Sequence, residues 1–184
     1  MNINEELANI LLSTRLFNES TLQTGKGEAD VIIEDKKKHT WYFEIKQSNW
    51  PKGKFFDAAT LTQWYTWYKN KNRYYFVFIT GKYKKDRKFT FVNASELMKH
   101  STIPPLKIYF NIYKDEIEDN FVYRETFINQ VKELVENNAI EPLPSFRKHA
   151  FKRTPSQNKT EKAIQLVNIS IEDLKQKFDS LKSK

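Results

Sequence analysis

The stretch from residue 27 to residue 47 constrains the fold of this 184-residue chain more than any other. Two apolar runs, Ala29–Glu34 and Thr40–Gln47, flank a short charged turn, and this pattern predicts two β-strands joined as a hairpin. Side chains in a strand alternate between two faces. An antiparallel pairing centred on Lys37 therefore gives the hairpin one apolar face and one face with charged residues.

Three charged side chains gather at the open end of the second face in this register. Asp30 lies opposite Glu44, and Lys46 follows on the same face of the second strand. Carboxylate oxygens are hard ligands, and Mg²⁺ is usually held by one or two of them together with waters and a substrate phosphate. A lysine beside such an ion orients or deprotonates the attacking water, or neutralises charge in the transition state. The hairpin therefore predicts a site for metal-assisted hydrolysis of a phosphate ester.

The spacing of these residues resembles the signature of a nuclease superfamily. Asp30, a gap of thirteen residues, and then Glu44, Ile45 and Lys46 are similar to the PD-(D/E)xK pattern of metal-dependent nucleases. Ala29 stands where the pattern has proline, at a position that varies in the family. The resemblance implies that Asp30, Glu44 and the carbonyl of Ile45 hold Mg²⁺, with Mn²⁺ as a substitute. It also implies that Lys46 positions the attacking water.

The resemblance adds two residues from predicted helices to the candidate catalytic set. Apolar residues three and four apart predict a first helix over residues 3–16, and Glu6 lies at the edge of its apolar stripe. Nucleases of this kind often carry a glutamate on the first helix that reaches the metal, although favourable charge at a helix N-terminus also explains Glu6. A second helix is predicted over residues 55–70, where Gln63 is a candidate for packing behind the metal site.

The order of predicted elements extends the resemblance over residues 3–100. The hairpin and second helix are followed by strands predicted at 74–80 and 88–92 and by a capped helix at 93–100. This order resembles that of archaeal Holliday-junction resolvases and many small restriction endonucleases. We therefore expect an α/β fold with a restriction-endonuclease-like core, in which helices flank a central mixed β-sheet.

The expected division of the chain is a nuclease core over residues 1–105 and a C-terminal extension over residues 106–184. Within the extension, alternation predicts a strand at 106–113, and an amphipathic pattern predicts a helix at 123–137. A proline-spaced basic stretch follows, and a last helix is predicted over 171–182. We expect this extension to pack on the core and to contact DNA or mediate dimerisation.

The charge of the chain favours a polyanionic partner. Its 31 lysines and arginines exceed its 23 acids, giving a net charge of +8, although a general lysine bias would have the same effect. The absence of cysteine excludes disulfides and thiolate zinc sites. Neither a signal-peptide pattern nor a membrane-length apolar run is present, so we expect a cytoplasmic protein without membrane contact. The expected DNA contacts are Lys26, Gln47, Lys52, Lys54, Arg147, Lys148, Lys152 and Arg153.

The sequence thus predicts a Mg²⁺-dependent DNA endonuclease, with sequence-specific cleavage of duplex DNA of the type II restriction kind as the preferred form. A Holliday-junction resolvase or repair nuclease that recognises branched DNA is the alternative within this class, and both kinds usually act as homodimers. RNA stays open as a substrate. The alternative from another class is a non-catalytic DNA-binding module, in which Asp30, Glu44 and Lys46 form an ion-pair cluster at the edge of a sheet.

Overall fold

A computed structural model describes residues 2–48, 58–94, 97, 101–102, 108–110 and 118–137. The α-helices that are described over their whole length are α1 (Ile3–Ser13), α2 (Leu61–Lys69) and α3 (Arg124–Asn137). The strands are β1 (Gln23–Lys26), β2 (Ala29–Glu34), β3 (Thr40–Ser48), β4 (Ala58–Ala59), β5 (Tyr74–Thr80), β6 (Lys88–Asn93), β7 (Ser101–Thr102) and β8 (Ile108–Phe110). None of the described helices is both long and apolar enough to cross a membrane.

Five strands form a mixed sheet in the order β1-β2-β3-β5-β6. Strands β3 and β5 are parallel, and the other neighbouring pairs are antiparallel. The parallel pair requires a crossover, and α2 lies on that connection. The expectation of an α/β fold with a central mixed sheet is confirmed. A second, three-stranded antiparallel sheet has the order β4-β8-β7 and contains the strand that was expected within residues 106–113.

The register of the β2–β3 hairpin is the predicted one. Val31 pairs with Phe43 and Ile33 pairs with Trp41, as a pairing centred on Lys37 requires. A slip of one residue would turn every apolar side chain of the hairpin to the opposite face. The apolar alternation therefore determines the register, and with it the face from which Glu44 and Lys46 project.

One face of the five-stranded sheet carries the main core, and α1 and α3 cover it. Leu7 and Ile10 of α1 and Phe127 and Val131 of α3 are at most 1% exposed, and each such side chain stabilises the fold by roughly 1.5–3 kcal/mol. The strand residues that meet them alternate along each strand, namely Val31, Ile33, Trp41, Phe43, Ile45, Tyr75, Val77, Ile79 and Phe89. Helix α3 was expected in the extension, and it packs on α1 and β6 as part of this core.

Local chemistry accounts for the helix boundaries. Asn2 and Glu5 form a capping box at the start of α1, and Arg15 adopts a positive φ of 64° just after its end. Thr60 and Gln63 form the corresponding box at the start of α2. The predicted helix at 93–100 is described at three residues: Asn93 is the last residue of β6, and Ala94 and Leu97 are helical. The basic stretch and the predicted helix at 171–182 lie outside the described residues.

Candidate metal-dependent active site

Hydrogen bonds bring Asp30, Glu44 and Lys46 together at one edge of the β2–β3 hairpin. The backbone N–H of Ile45 donates to Oδ2 of Asp30 at 2.8 Å. The ammonium group of Lys46 donates to Oε1 of Glu44 at 2.9 Å. The two carboxylates are close enough for the charge of Asp30 to raise the pKa of Glu44.

At Asp30 a side-chain hydrogen bond takes over from the ladder pairing of β2 with β3. The β2–β3 ladder runs from the Glu34–Thr40 pair to the Val31–Phe43 pair, and beyond it the Asp30 side chain binds the amide of Ile45. A carboxylate that accepts a backbone N–H is fixed in position without losing its second oxygen. Asp30 is partly exposed, so this arrangement leaves it able to meet a ligand.

A buried tyrosine supports the turn that leads to Asp30. Tyr74 of β5 is fully buried, and its hydroxyl donates to the carbonyl of Glu28 at 2.8 Å, two residues before Asp30. Burial, together with the nearby charges of Glu44, Asp30 and Glu28, raises the pKa of Tyr74 far above its ordinary value. Tyr74 is therefore a permanent hydrogen-bond donor across the sheet.

Glu44 is the electrostatic centre of the site. Its side chain projects from the face opposite α1, and Nε2 of Gln63 on α2 donates to its Oε1 at 2.6 Å. Burial raises the pKa of Glu44, and Lys46 lowers it in part. Asp30 acts in both directions, because its charge raises this pKa and its backbone N–H lowers it. The second oxygen, Oε2, is buried without a hydrogen-bond partner among the described residues.

An unpartnered carboxylate oxygen beside a second carboxylate fits a divalent cation. A buried acceptor without a partner is costly, and a cation removes that cost. Mg²⁺ needs only one or two carboxylates because waters and substrate oxygens fill its other positions. The described residues contain no cluster of three histidine, cysteine or acidic side chains. The carboxylate oxygens of Asp30 and Glu44 are hard ligands of the kind that Mg²⁺ prefers, whereas structural zinc sites are built mainly from cysteine and histidine. The expected contact from the Ile45 carbonyl stays a prediction.

Glu6 has a different partner. Its carboxylate is 2% exposed and forms an ion pair with the guanidinium of Arg87, which follows β5 in the chain. A buried carboxylate requires a compensating charge, and Arg87 supplies it. Helix α1 lies on the face of the sheet opposite the Glu44 side chain, and on that face Glu6 pairs with Arg87. Its expected contact with the metal stays a prediction.

The candidate DNA contacts divide into two groups. Lys26 is exposed on β1, next to the strand that carries Asp30, and Gln47 is exposed near the end of β3. Lys52, Lys54, Arg147, Lys148, Lys152 and Arg153 lie outside the described residues.

Sequence reasoning did not single out Tyr74 or Arg87. A tyrosine in an otherwise apolar strand requires a hydrogen-bond partner, and that requirement is the signal that would have drawn attention to Tyr74. The pairing of Arg87 with Glu6 joins residues 81 positions apart, and no local pattern indicates it.

A comparison with known proteins finds no family model, no curated protein and no solved structure that matches the chain. The resemblance to the nuclease superfamily therefore stays a prediction from the sequence, based on the motif and the order of predicted elements. The function has to be argued from the chemistry of the site.

Proposed function

We propose that the chain is a Mg²⁺-dependent endonuclease that hydrolyses phosphodiester bonds in DNA, built on a restriction-endonuclease-like core. The carboxylate of Glu44 carries the proposal. One of its oxygens accepts hydrogen bonds from Lys46 and Gln63, while the other is buried, unpartnered among the described residues and beside Asp30. A buried carboxylate oxygen without a partner is costly, and a bound cation would remove that cost.

Asp30 and Glu44 are the residues that would hold the ion. When bound, Mg²⁺ supplies polarisation of the scissile phosphate and acidification of a water molecule. The hydrogen bond from Ile45 to Asp30 and those from Lys46 and Gln63 to Glu44 fix both carboxylates before substrate arrives. Such preorganisation reduces the reorganisation needed during reaction.

Lys46 acts on the attacking water and on the charge of the phosphate. Its side chain is 13% exposed, and its ammonium group has two further N–H donors beside the bond to Glu44. The water oxygen bonds to phosphorus as the bond from phosphorus to the 3′ oxygen breaks. The water loses one proton and the leaving oxygen gains one, which gives a 5′-phosphate and a 3′-hydroxyl.

Restriction-type cleavage by a homodimer is the form that the sequence favours, because two strands must be cut and each subunit carries one site. A net charge of +8 supports a nucleic-acid substrate. A restriction enzyme needs contacts with base edges in the grooves, whereas a resolvase or repair nuclease relies on shape and backbone contacts. The substrate geometry therefore distinguishes these two forms.

Cleavage of three DNA substrates tests the proposal. Supercoiled plasmid, linear duplex and a synthetic four-way junction are incubated with Mg²⁺ or with a chelator. We expect Mg²⁺-dependent cutting by the wild-type chain and its loss in Glu44→Ala. Glu34→Ala is the matched control, because Glu34 is a partly buried acid at the far end of β2.

The proposal fails if none of the substrates is cut in a metal-dependent way. A discrete ladder from linear duplex indicates restriction-type cleavage, and cutting of the junction alone indicates a resolvase.

A further inference from the structure

A second feature of the molecule lies outside the proposed active site, where two tyrosines stand exposed among basic residues. Tyr83 is 58% exposed and Tyr123 is 59% exposed, and these are the exposed large hydrophobic side chains of the described residues. The ammonium group of Lys82 lies 5.4 Å from the ring centroid of Tyr83, and that of Lys88 lies 5.0 Å from the ring centroid of Tyr123. Each exposed ring thus has a cation beside it.

Hydrogen bonds fix the backbone at both tyrosines. Tyr83 lies in the turn between β5 and β6, where its carbonyl accepts a hydrogen bond from the N–H of Asp86. The turn closes tightly at Gly81, which has a φ of 98° and where a Cβ would stand 2.5 Å from the Asp86 carbonyl oxygen. Tyr123 follows Val122, which exchanges two backbone hydrogen bonds with Phe89 of β6. Little backbone freedom is therefore lost at either tyrosine when a ligand stacks on its ring.

The surroundings of the rings are rich in cations. A hollow of about 500 Å³ beside Tyr123 is lined by Lys84, Lys85 and Arg124, as well as by Glu125 and the Glu6–Arg87 pair. Among the described residues, the ion pair found in this hollow is the one between Glu6 and Arg87. The lysines and Arg124 thus give the surface a net positive charge.

We propose that Tyr83 and Tyr123, with Lys82 and Lys88 beside them, bind single-stranded nucleic acid, so that unpaired bases stack on the rings and phosphates contact the lysines. Aromatic rings next to basic residues are the recurrent means of holding single strands, because every base has a flat π-face and every nucleotide carries a phosphate. In a continuous duplex, neighbouring bases cover the base faces, and the grooves expose only base edges. The rings therefore have no base face to stack on in such a duplex.

The surface lies at the end of the sheet toward which the active-site strand runs. Thr80 pairs with Ser48 of β3 on one side and with Lys88 of β6 on the other. Two strand spacings and two residues along a strand put the backbones of Lys46 and Lys88 roughly 12 Å apart. We infer that the substrate is nucleic acid with an unpaired segment close to the cut, such as a branch, a flap or a frayed end. This consequence rests on the proposed nuclease function.

Fluorescence anisotropy with labelled oligonucleotides tests the surface without cleavage. A single-stranded oligo-dT, an oligo-rU and a duplex of the same length are titrated with protein in the presence of a chelator. We expect the Tyr83→Ala/Tyr123→Ala variant to bind the single strands about tenfold more weakly per ring and to bind duplex almost unchanged. The corresponding double Phe variant keeps the rings and should keep wild-type affinity. Preference for oligo-dT or oligo-rU identifies DNA or RNA as the source of the strand.

Charge is tested in the same assay. The Lys82→Gln/Lys88→Gln variant should lower the slope of log affinity against log salt by about 0.7 for each phosphate that the protein no longer neutralises. Lys36→Gln/Lys37→Gln is the matched control, because both residues are exposed in the β2–β3 turn at the opposite end of β3. Equally weakened binding of single strand and duplex by the Tyr→Ala variant, with circular dichroism unchanged, would overturn the inference. The assay measures binding and no cleavage, so its result does not depend on whether the chain has the proposed nuclease activity.

Discussion

The side-chain amide of Gln63 joins the start of α2 to the carboxylate of Glu44, with Nε2 of Gln63 at 2.6 Å from Oε1 of Glu44. The other end of the same amide accepts a hydrogen bond from the backbone N–H of Thr60 at 2.8 Å. The capping box therefore orients the amide so that its donor faces the acid. Gln63 thus caps the N-terminus of α2 with its amide oxygen and positions Glu44 of the candidate active site with its amide nitrogen.

Replacing Gln63 should separate these two roles. Gln63→Glu keeps an acceptor for the cap but sets a second carboxylate against Glu44, which should raise the pKa of Glu44 further and displace the rise of the pH–rate profile to higher pH. Gln63→Ala removes the positioning bond, and we expect kcat to fall about tenfold. Thr62→Ala, on the same helix turn with an exposed side chain, is the control for both. An unchanged pH profile in Gln63→Glu would separate Gln63 from the chemistry.

Glu44 should reduce the stability of the metal-free protein. Its folded pKa is raised, mainly by burial, so the folded state binds a proton more tightly than the unfolded state does. Stability is therefore lost as pH rises from about the ordinary value of 4.5 through the folded pKa. Glu44→Gln should have a Tm equal to or above that of wild type at neutral pH, and this advantage should disappear below pH 4.5. Thermal melts in a chelator across pH measure it.

Mg²⁺ should make the wild-type protein more stable to heat than Glu44→Gln. A ligand that binds only the folded state adds about 2.7 kcal/mol of stability at a concentration a hundred times its Kd. The Tm of wild type should therefore rise with added Mg²⁺, while that of Glu44→Gln should stay constant. A wild-type Tm that does not respond to Mg²⁺ or Mn²⁺ would argue against a metal site at Glu44.

The parts of this site that the sequence predicts are those set by alternation within a hairpin. The apolar runs of β2 and β3 determine the register and therefore the common face of Glu44 and Lys46. Strand β1 gives no such signal, because its four residues are all exposed at the edge of the sheet and show no alternation. The partner of a charged residue depends on tertiary packing, and for this reason the pairing of Glu6 with Arg87 has no counterpart in the local sequence.

The hydroxyl of Tyr74 should matter for activity more than for folding. Tyr74→Phe removes its hydrogen bond to the Glu28 carbonyl, and we expect a loss of about 0.5–1.5 kcal/mol in the free energy of unfolding. Asp30 follows that carbonyl by two residues, so kcat should fall about tenfold as Asp30 loses its fixed position. Tyr75→Phe is the matched control, because its hydroxyl bonds Asn93 on the opposite face of the sheet. Equal activity losses in the two variants would contradict a role in positioning Asp30.

Asp35 should make the hairpin sensitive to acid. It is 2% exposed and accepts hydrogen bonds from Nε1 of Trp41 at 2.9 Å, from the N–H of Lys37 at 2.8 Å and from both the N–H and Nδ1 of His39. Burial alone would raise the pKa of Asp35, but these hydrogen bonds outweigh it and the folded pKa lies below the ordinary 3.8. Its contribution is therefore present above pH 3.8 and is lost as pH falls through the folded pKa.

Asp35→Asn measures that contribution. At neutral pH the variant should lose about 1.5–3 kcal/mol of unfolding free energy, because hydrogen bonds to a charged acceptor are replaced by weaker ones. Urea unfolding at several pH values should show the difference from wild type shrinking as the pH falls below 3.8. Glu34→Gln, one residue earlier and partly exposed, is the control. A difference that does not change with pH would assign the effect of Asp35→Asn to packing and not to charge.

The pairing of Glu6 with Arg87 should appear as a large coupling energy. Glu6 is 2% exposed and the Arg87 side chain is 16% exposed, so removing either partner leaves a poorly solvated charge. We expect Glu6→Gln and Arg87→Gln each to cost about 3–5 kcal/mol of unfolding free energy, and the double variant to cost clearly less than their sum. Urea denaturation of the four proteins gives the coupling energy, and additive losses would contradict the pair. The same double variant tests the expected metal contact of Glu6: if Arg87 is its main partner, the Mg²⁺-induced rise in Tm should persist, and disappearance of that rise with the fold intact would place Glu6 at the metal.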